Sequence, residues 1–483
     1  MKTTPFEHQK EALRRLAANP ERYALGMDQG TGKTWCLMAD AEQQFQRGLI
    51  SGLLVIAPKG VHVNWVRREV PAHMEIPVQA GYWLSGAGVR HKRDLERVFR
   101  AADDELAVLA VNVDAVNTKT GRELCERFLK QYRCMMVVDE SQRIKSPIAK
   151  RTKAMIALGR MAVSRRIASG TLVANSPLDL FSQFEFLEAG LLGTTSFRAF
   201  TAEYAELLPP ENPLVQTIRQ RSRMRGTPQV VARNAHGAPK FKNLKKLHNM
   251  LLPFTFRVLK EDCLDLPDKI YQTHPFELSP AQRKLYHRIK EEMRFEREDG
   301  EIDTFTALTL INKLRQVTSG FIMVDGEAAA LTESGPRLAA LKEMVKDIEG
   351  PMIVWASFRE EIKQLKEAFE DMDIPAATYY GDTSDEDREA AVDGFQDGSV
   401  RVFIANKAAS TGLTLTAAKV AIYYSNEYSL EVRQQSEDRA HRIGVKHPVV
   451  YIDLVGRDTI DEKIATALQT KKVTAMAVLD GVF

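Results

Sequence analysis

Cysteine is scarce. The 483 residues include four, Cys36, Cys125, Cys134 and Cys263, none in a CxxC pair or at zinc-ligand spacing. This excludes a disulfide framework and a structural zinc site, and the thiols read as reduced side chains of an intracellular protein. Long apolar runs are also missing. No stretch approaches the roughly eighteen residues of a membrane span, and the opening MKTTPFEHQKEALRRL lacks the apolar centre of a signal peptide. The expected location is cytoplasmic: nucleoid-associated, or the host cytoplasm for a phage-encoded chain. Net charge is only +3, too little to name a partner by itself. His8, His62 and His441 stand alone, without metal-ligand spacing. No solenoid repeat or low-complexity segment is found.

What is present is an ordinary globular composition, 44% hydrophobic and 27% charged, in a chain long enough for two to four domain-sized units. Short apolar runs alternate with helical segments in two blocks. Gly52–Pro58, Leu106–Val111 and Met135–Asp139 read as buried parallel strands of the first. Met352–Ala356, Val402–Ala405, Val420–Tyr424 and Val449–Leu454 repeat the pattern in the second. The expected class is α/β, with two lobes flanking a middle region of different character.

The first block carries Gly26-Met27-Asp28-Gln29-Gly30-Thr31-Gly32-Lys33-Thr34 between an apolar strand (Tyr23-Ala24-Leu25) and a helical run from Trp35. Glycines at 30 and 32 let backbone N–H groups face phosphates. Lys33 would reach the outer phosphates and Thr34 would ligate magnesium. Met27 stands where the full GxxxxGK[ST] pattern wants glycine, so the loop has the looser form. Asp139-Glu140 ends the strand Met135–Val138, which sets two carboxylates at a sheet's carboxyl edge. There Asp139 would hold magnesium and Glu140 would orient and deprotonate a water; a plain surface pair is the other reading. Ser169-Gly170-Thr171 with Asn175 either couples nucleotide state to a neighbouring groove or caps a helix. Far downstream, Gln435, Arg439 and Arg442 fall at i, i+4 and i+7, one face of a helix. The arginines read as fingers that stabilise charge on a transferred phosphate, or else as a basic helix face.

Between Glu211 and Glu261 there is no acidic residue, while Arg219, Arg221, Arg223, Arg225, Arg233, Lys240, Lys242, Lys245, Lys246, Arg257 and Lys260 fall there. Two readings stand: a solvated insertion, or a surface for nucleic-acid phosphates. The motifs around it favour the second.

Taken in order along the chain, these segments resemble the Swi/Snf-type remodelling ATPases, helicase-like members of superfamily two. Phe6-Glu7-His8-Gln9 is similar to the family's adenine-reading segment, with Gln9 as reader. Pro58, with Lys59 beside it, Trp65 and Glu69 resemble the motif that touches DNA backbone. Asp139 through Lys145 resembles the DExH-type box, with Gln142 where histidine is usual. Ser169-Gly170-Thr171 with Pro177–Phe181 resembles the coupling motif. Phe256–Asp262, Leu266–Lys269 and Leu278–Gln282 look like the segment peculiar to this family. Ser410–Thr416 and Gln435–Gly444 resemble the last two motifs, with Val445 where glutamine is usual.

The resemblance implies two RecA-like lobes, parallel sheets flanked by helices, with mainly helical insertions between them. The expected boundaries are 1–190 for the first lobe, 191–265 for a basic insertion, 266–345 for a helical inter-lobe segment and 346–483 for the second lobe with a terminal helix. It implies ATP and Mg2+ as cofactors: Gln9, Asp28, Gly30, Thr31, Gly32, Lys33, Thr34, Asp139, Gly412 and Gln435 bind nucleotide, and Thr34 and Asp139 hold the metal. Glu140, Lys33, Arg439 and Arg442 are the expected catalytic set, and Gln142, Ser169 and Thr171 the coupling set. Pro58, Lys59, Lys240, Lys242, Lys245, Lys246, Ser410 and Thr411 are the expected DNA contacts. The implied function is a DNA-dependent ATPase that tracks duplex DNA without reading sequence, as a compact bacterial or phage-like monomer with no membrane partner. A DNA-bound protein is a further expected partner. A strand-separating DNA or RNA helicase and an ATP-gated DNA clamp acting on a protein partner are the alternatives.

Overall fold

The computed structural model describes residues 1–221, 227–234, 237–298, 304–324, 326–331, 335–410 and 413–482. The chain divides into two compact units. Residues 1–208, 229–264 and 473–483 form the first, and residues 209–228 and 265–472 form the second.

Among the described residues the first unit is built on a seven-stranded parallel sheet. Its strands are β1 (Arg22–Met27), β2 (Gly52–Ala57), β3 (Val78–Tyr82), β4 (Leu106–Asn112), β5 (Cys134–Asp139), β6 (Ser164–Ala168) and β7 (Thr255–Val258). The spatial order is β3-β4-β2-β5-β6-β1-β7. Every residue of β2 and β5 is buried. Leu54, Ile56, Met136 and Val138 enter one core, while Leu53, Val55, Met135 and Val137 enter another on the opposite face. Side chains alternate across a strand, so a continuous apolar run is what a sheet covered on both faces requires.

In the second unit β8 (Lys269–Phe276), β11 (Met352–Trp355), β12 (Ala376–Tyr379), β13 (Val402–Ala405), β14 (Val420–Tyr423) and β15 (Val449–Gly456) form a parallel sheet in the order β12-β13-β11-β14-β15-β8. A separate antiparallel hairpin joins β9 (Phe321–Val324) to β10 (Glu327–Ala330). The expected α/β class and two-lobed architecture are thus observed. Residues 266–345, expected to be mainly helical, hold the helices Pro280–Glu298 and Thr304–Thr318, and also β8 and the hairpin. β8 is an edge strand and largely exposed, so its sequence carries no apolar run. No helix among the described residues is long and apolar enough to cross a membrane.

The strand order of the first sheet gathers three motifs that are far apart in sequence. β5, β6 and β1 are consecutive neighbours, so the segments leaving their carboxyl ends emerge side by side. These segments are Asp139-Glu140, Ser169–Thr171 and the glycine-rich loop.

Candidate active site

The loop after β1 is shaped by two glycines in the left-handed region, Gly30 at φ 84° and Gly32 at φ 86°. A side chain at 32 would also collide with the Gln9 amide, 2.0 Å from where its Cβ would stand. Gln9 is buried; its Nε2 donates to the Thr31 carbonyl at 3.4 Å and its Oε1 accepts from Phe6 N–H at 2.9 Å. His8 Nε2 lies 2.8 Å from the same carbonyl oxygen. The N-terminal helix Glu7–Ala18 therefore sits directly on the loop. Thr31 Oγ1 donates to the Asp28 carbonyl at 2.8 Å. Lys33 folds back so that Nζ donates to the carbonyls of Met27 at 2.8 Å and Asp28 at 3.2 Å. Thr34 follows in the first turn of the helix Lys33–Gln46, half-buried.

Asp139 closes β5 with a buried carboxylate. Its Oδ2 accepts from Trp65 Nε1 at 3.1 Å, and its Oδ1 from the Glu140 N–H at 3.0 Å. Burial raises its pKa, the Glu140 charge adds to this, and the Trp65 N–H and the Lys33 charge work against it. Trp65 was expected in a DNA-touching motif; it is buried and faces the carboxylate instead. Glu140 holds a left-handed backbone, φ 53° and ψ 56°, costly for a residue with a side chain and typical of functional sites. It starts a short 3-10 turn, Ser141–Ile144, in which Ser141 Oγ donates to Gln183 Oε1 at 2.7 Å.

That backbone turn lets Gln142 reach both ways. Its Nε2 donates to Glu140 Oε2 at 2.7 Å, and its Oε1 accepts from Ser169 Oγ at 2.6 Å. Ser169 Oγ in turn accepts the Thr171 N–H at 2.8 Å. Ser169 and Thr171 therefore do not cap a helix. Asn175 does belong to a helix start: Asp179 Oδ2 accepts from the N–H groups of Ala174, Asn175 and Ser176, with a capping box between Ser176 and Asp179.

In the second unit the helix Leu430–Ala440 follows β14 and starts on Ser429, whose Oγ accepts from Val432 N–H at 3.3 Å. Gln435 and Arg439 lie on it, both buried, but it ends before Arg442. His441 terminates it with Nε2 2.7 Å from the Pro267 carbonyl, and Gly444 turns the chain at φ 104°. The two arginines still converge. Nη1 of Arg439 and Nη1 of Arg442 each donate to the Leu413 carbonyl at 3.0 Å, and Arg442 also donates to Thr414 Oγ1. The last two motifs are therefore joined within the second unit. Thr411, Gly412 and the side chain of Ser410 lie outside the described residues.

Pro58 and Lys59 follow β2, Pro58 buried and Lys59 exposed. Lys240, Lys242, Lys245 and Lys246 are exposed in the first unit. They are not as free of acid as the sequence suggested: Lys246 pairs with Glu203 at 2.8 Å and Lys240 with Glu206 at 3.3 Å, from the segment that starts with the helix Phe197–Tyr204. Arg257 and Lys260, counted in the same stretch, lie at the glycine-rich loop. No cluster of three or more His, Cys, Asp or Glu is placed to hold a metal among the described residues.

A glycine-rich loop, an acidic pair at the next-but-one strand end and a linked third motif define a helicase-like nucleotide-hydrolysing core. A model of the SNF2-related domain matches residues 8–320, and a model of the helicase conserved C-terminal domain matches residues 336–444. The chain belongs to the SNF2-related family of helicase-like ATPases. An ATP-dependent helicase of Mycoplasma pneumoniae, itself uncharacterized, is 26% identical over 95% of this chain and 40% of its own length. Human TATA-binding protein-associated factor 172 is 29% identical over 68% of this chain and 20% of its own. The chain thus spans less than half the length of these curated relatives. A solved Sulfolobus solfataricus SWI2/SNF2 ATPase core in complex with dsDNA covers 100% of the chain and 94% of its own, at 21% identity and a TM-score of 0.41.

Proposed function

We propose that this chain hydrolyses ATP and uses the cycle to move along double-stranded DNA without separating its strands. Lys33 leaves the Met27 and Asp28 carbonyls to meet the outer phosphates, and the N–H groups of the Gly30–Thr34 loop cradle them. Gln9 reads the adenine from its seat on the loop. Thr34 and Asp139 offer hard oxygens, a donor set that suits magnesium when phosphates and water complete its shell. The bound ion would neutralise phosphate charge. Glu140 orients and deprotonates the attacking water, and Arg439 and Arg442 stabilise charge on the transferred phosphoryl group.

The observation that carries the reading is the hydrogen-bonded chain Glu140–Gln142–Ser169–Thr171. A motor must convert hydrolysis into a second event. This chain ties the proposed base to the end of the neighbouring strand, so a change at the phosphate is felt there. Lys59, Lys242, Lys245 and their neighbours supply sequence-blind contacts to backbone phosphates, which position DNA without reading it. The relative named for the TATA-binding protein fits work on a DNA-bound protein.

The test compares ATP turnover on duplex DNA, single strands, forked DNA and RNA, together with displacement of a third strand from a triplex. Duplex-stimulated turnover with triplex displacement supports translocation. Stimulation by single strands alone with fork unwinding supports a strand-separating helicase instead. One slow turnover with DNA retained supports a clamp.

A further inference from the structure

The carboxylate of Asp28 belongs to a second charged cluster beside the loop. Its Oδ1 accepts from Arg257 Nη1 at 3.1 Å, and its Oδ2 from the Lys260 N–H at 3.2 Å. The same Nη1 donates to the Gly26 carbonyl at 3.0 Å. Arg257 Nε donates to Asp480 Oδ1 at 2.9 Å, so one guanidinium is shared by two carboxylates. The side chains of Asp28, Arg257 and Asp480 are 28%, 21% and 14% exposed, enough shielding for the pairing to outlast salt screening.

The backbone reinforces the cluster. β7 runs parallel to β1 with Gly26 opposite Arg257, and the Asp28 N–H donates to the Val258 carbonyl at 3.0 Å. Asp480 ends the helix Ile460–Asp480, whose last turns belong to the first unit. Val478 and Leu479 are buried in that unit's core, and His248 Nδ1 lies 2.9 Å from the Val478 carbonyl. Asp480 is therefore held in place by packing, and Arg257 carries that placement to Asp28. The Asp28 carbonyl is one of the two that hold Lys33 Nζ, and it also accepts from Thr31. This one residue therefore links the Arg257–Asp480 pair to the carbonyl that holds Lys33 and Thr31.

We infer that Arg257 and Asp480 are positioning residues of the ATP site: through Asp28, the end of the helix Ile460–Asp480 holds the phosphate loop in its nucleotide-receiving shape. This rests on the reading of residues 26–34 as an ATP loop. Removing Asp480's charge leaves Arg257 with one anchor fewer and lets the loop drift, so ATP binding weakens before chemistry does.

The test is a double-mutant cycle on the full chain with Asp480→Asn, Arg257→Gln and the pair, reading KM and kcat for ATP, ADP affinity and Tm. Each single change should raise KM by about twofold or more, the lower end for coupled contacting residues, with a smaller change in kcat. The pair should be no worse than Arg257→Gln alone, and Asp480→Glu should recover most of the loss. An unchanged KM in Asp480→Asn overturns the inference. So do additive effects in the pair, or a fall in Tm with nucleotide affinity intact, which marks a purely structural role. Failure of the wild-type chain to bind ATP at all would instead defeat the underlying reading of the loop.

Discussion

In the first unit the acidic side chains at the strand ends are held by other side chains: Asp139 by Trp65, Glu140 by Gln142, Asp28 by Arg257. In the second unit Arg439 and Arg442 share one backbone carbonyl, that of Leu413, and Arg439 Nε donates to another, that of Gln435. Side-chain partners fix a group within a charged network, whereas a carbonyl is a neutral acceptor that a phosphate outcompetes for a guanidinium. On the proposed reading the acid side is pre-organised and the arginine side is releasable to a phosphate. Arg433, one turn and a half before Arg439 on the same helix, shows the contrast. It bonds to Glu437, Asp453 and Asn426, and its guanidinium lies 3.5 Å from the centre of the Tyr423 ring. Burial works against its charge, but Tyr423, Asp453 and Glu437 more than offset this and raise its pKa. Arg433 is thus tied into a charged network, whereas Arg439 and Arg442 are the arginines proposed to meet phosphate.

The largest effect that would break this comparison belongs to the pre-organised side. Glu140→Gln should cut turnover by about 10²–10⁴-fold, the usual worth of a general base, while ATP still binds; appreciable residual hydrolysis would remove Glu140 from the mechanism. On the releasable side, Arg439→Ala or Arg442→Ala should each lower kcat by about 10³-fold, as loss of an arginine finger does, with ATP affinity and Tm little changed. Arg433→Ala should behave oppositely and destabilise the second unit by about 1–3 kcal/mol, because it removes charged hydrogen bonds from half-buried Asp453 and buried Glu437. Denaturant titration separates the two arginine types, and equal loss of stability in all three variants would erase the distinction.

A smaller effect concerns the basic surface. Neutralising Lys240, Lys242, Lys245 and Lys246 should weaken DNA binding and flatten its dependence on salt, by at most about 0.9 in logarithmic slope for each DNA phosphate no longer neutralised. Most of the change should come from Lys242 and Lys245, since Lys240 and Lys246 are shared with Glu206 and Glu203. An unchanged slope would leave the stretch a solvated surface. The smallest effect is a pH dependence in the first unit. Burial lowers the pKa of His62 below the 6.5 of a free imidazole. Unfolding then takes up a proton below that value, so His62 contributes stability that is complete above pH 6.5 and is lost as pH falls through the window beneath it. Melting curves of His62→Gln should be flatter than wild type in that window, by a few degrees at most.

The sequence announced the residues whose spacing alone fixes their geometry. Lys33 and Thr34 follow glycines suited to the positive φ of a tight loop, and Asp139-Glu140 ends an apolar run of strand length. Partners distant along the chain were not legible. Trp65 and Asp139 are 74 residues apart, and Arg257 and Asp28 are 229 apart, so no local pattern relates them. Arg257 counted as surface charge because periodicity cannot show that β7 lies beside β1. Arg442 was placed on a helix by its spacing, yet the helix stops at Ala440, where His441 finds the Pro267 carbonyl. β8 escaped notice because an exposed edge strand keeps neither an apolar run nor strict alternation.

The central claim is that hydrolysis at the first unit's strand ends is coupled to duplex DNA through Gln142 and Ser169. Its most direct test is DNA-stimulated ATP turnover, with third-strand displacement, in Gln142→Ala beside wild type. Wild-type turnover should rise on duplex DNA and displace the third strand. Gln142→Ala should keep much of its DNA-free turnover while losing both the stimulation and the displacement. Full stimulation and displacement without Gln142, or wild-type stimulation by single strands alone, would contradict the claim.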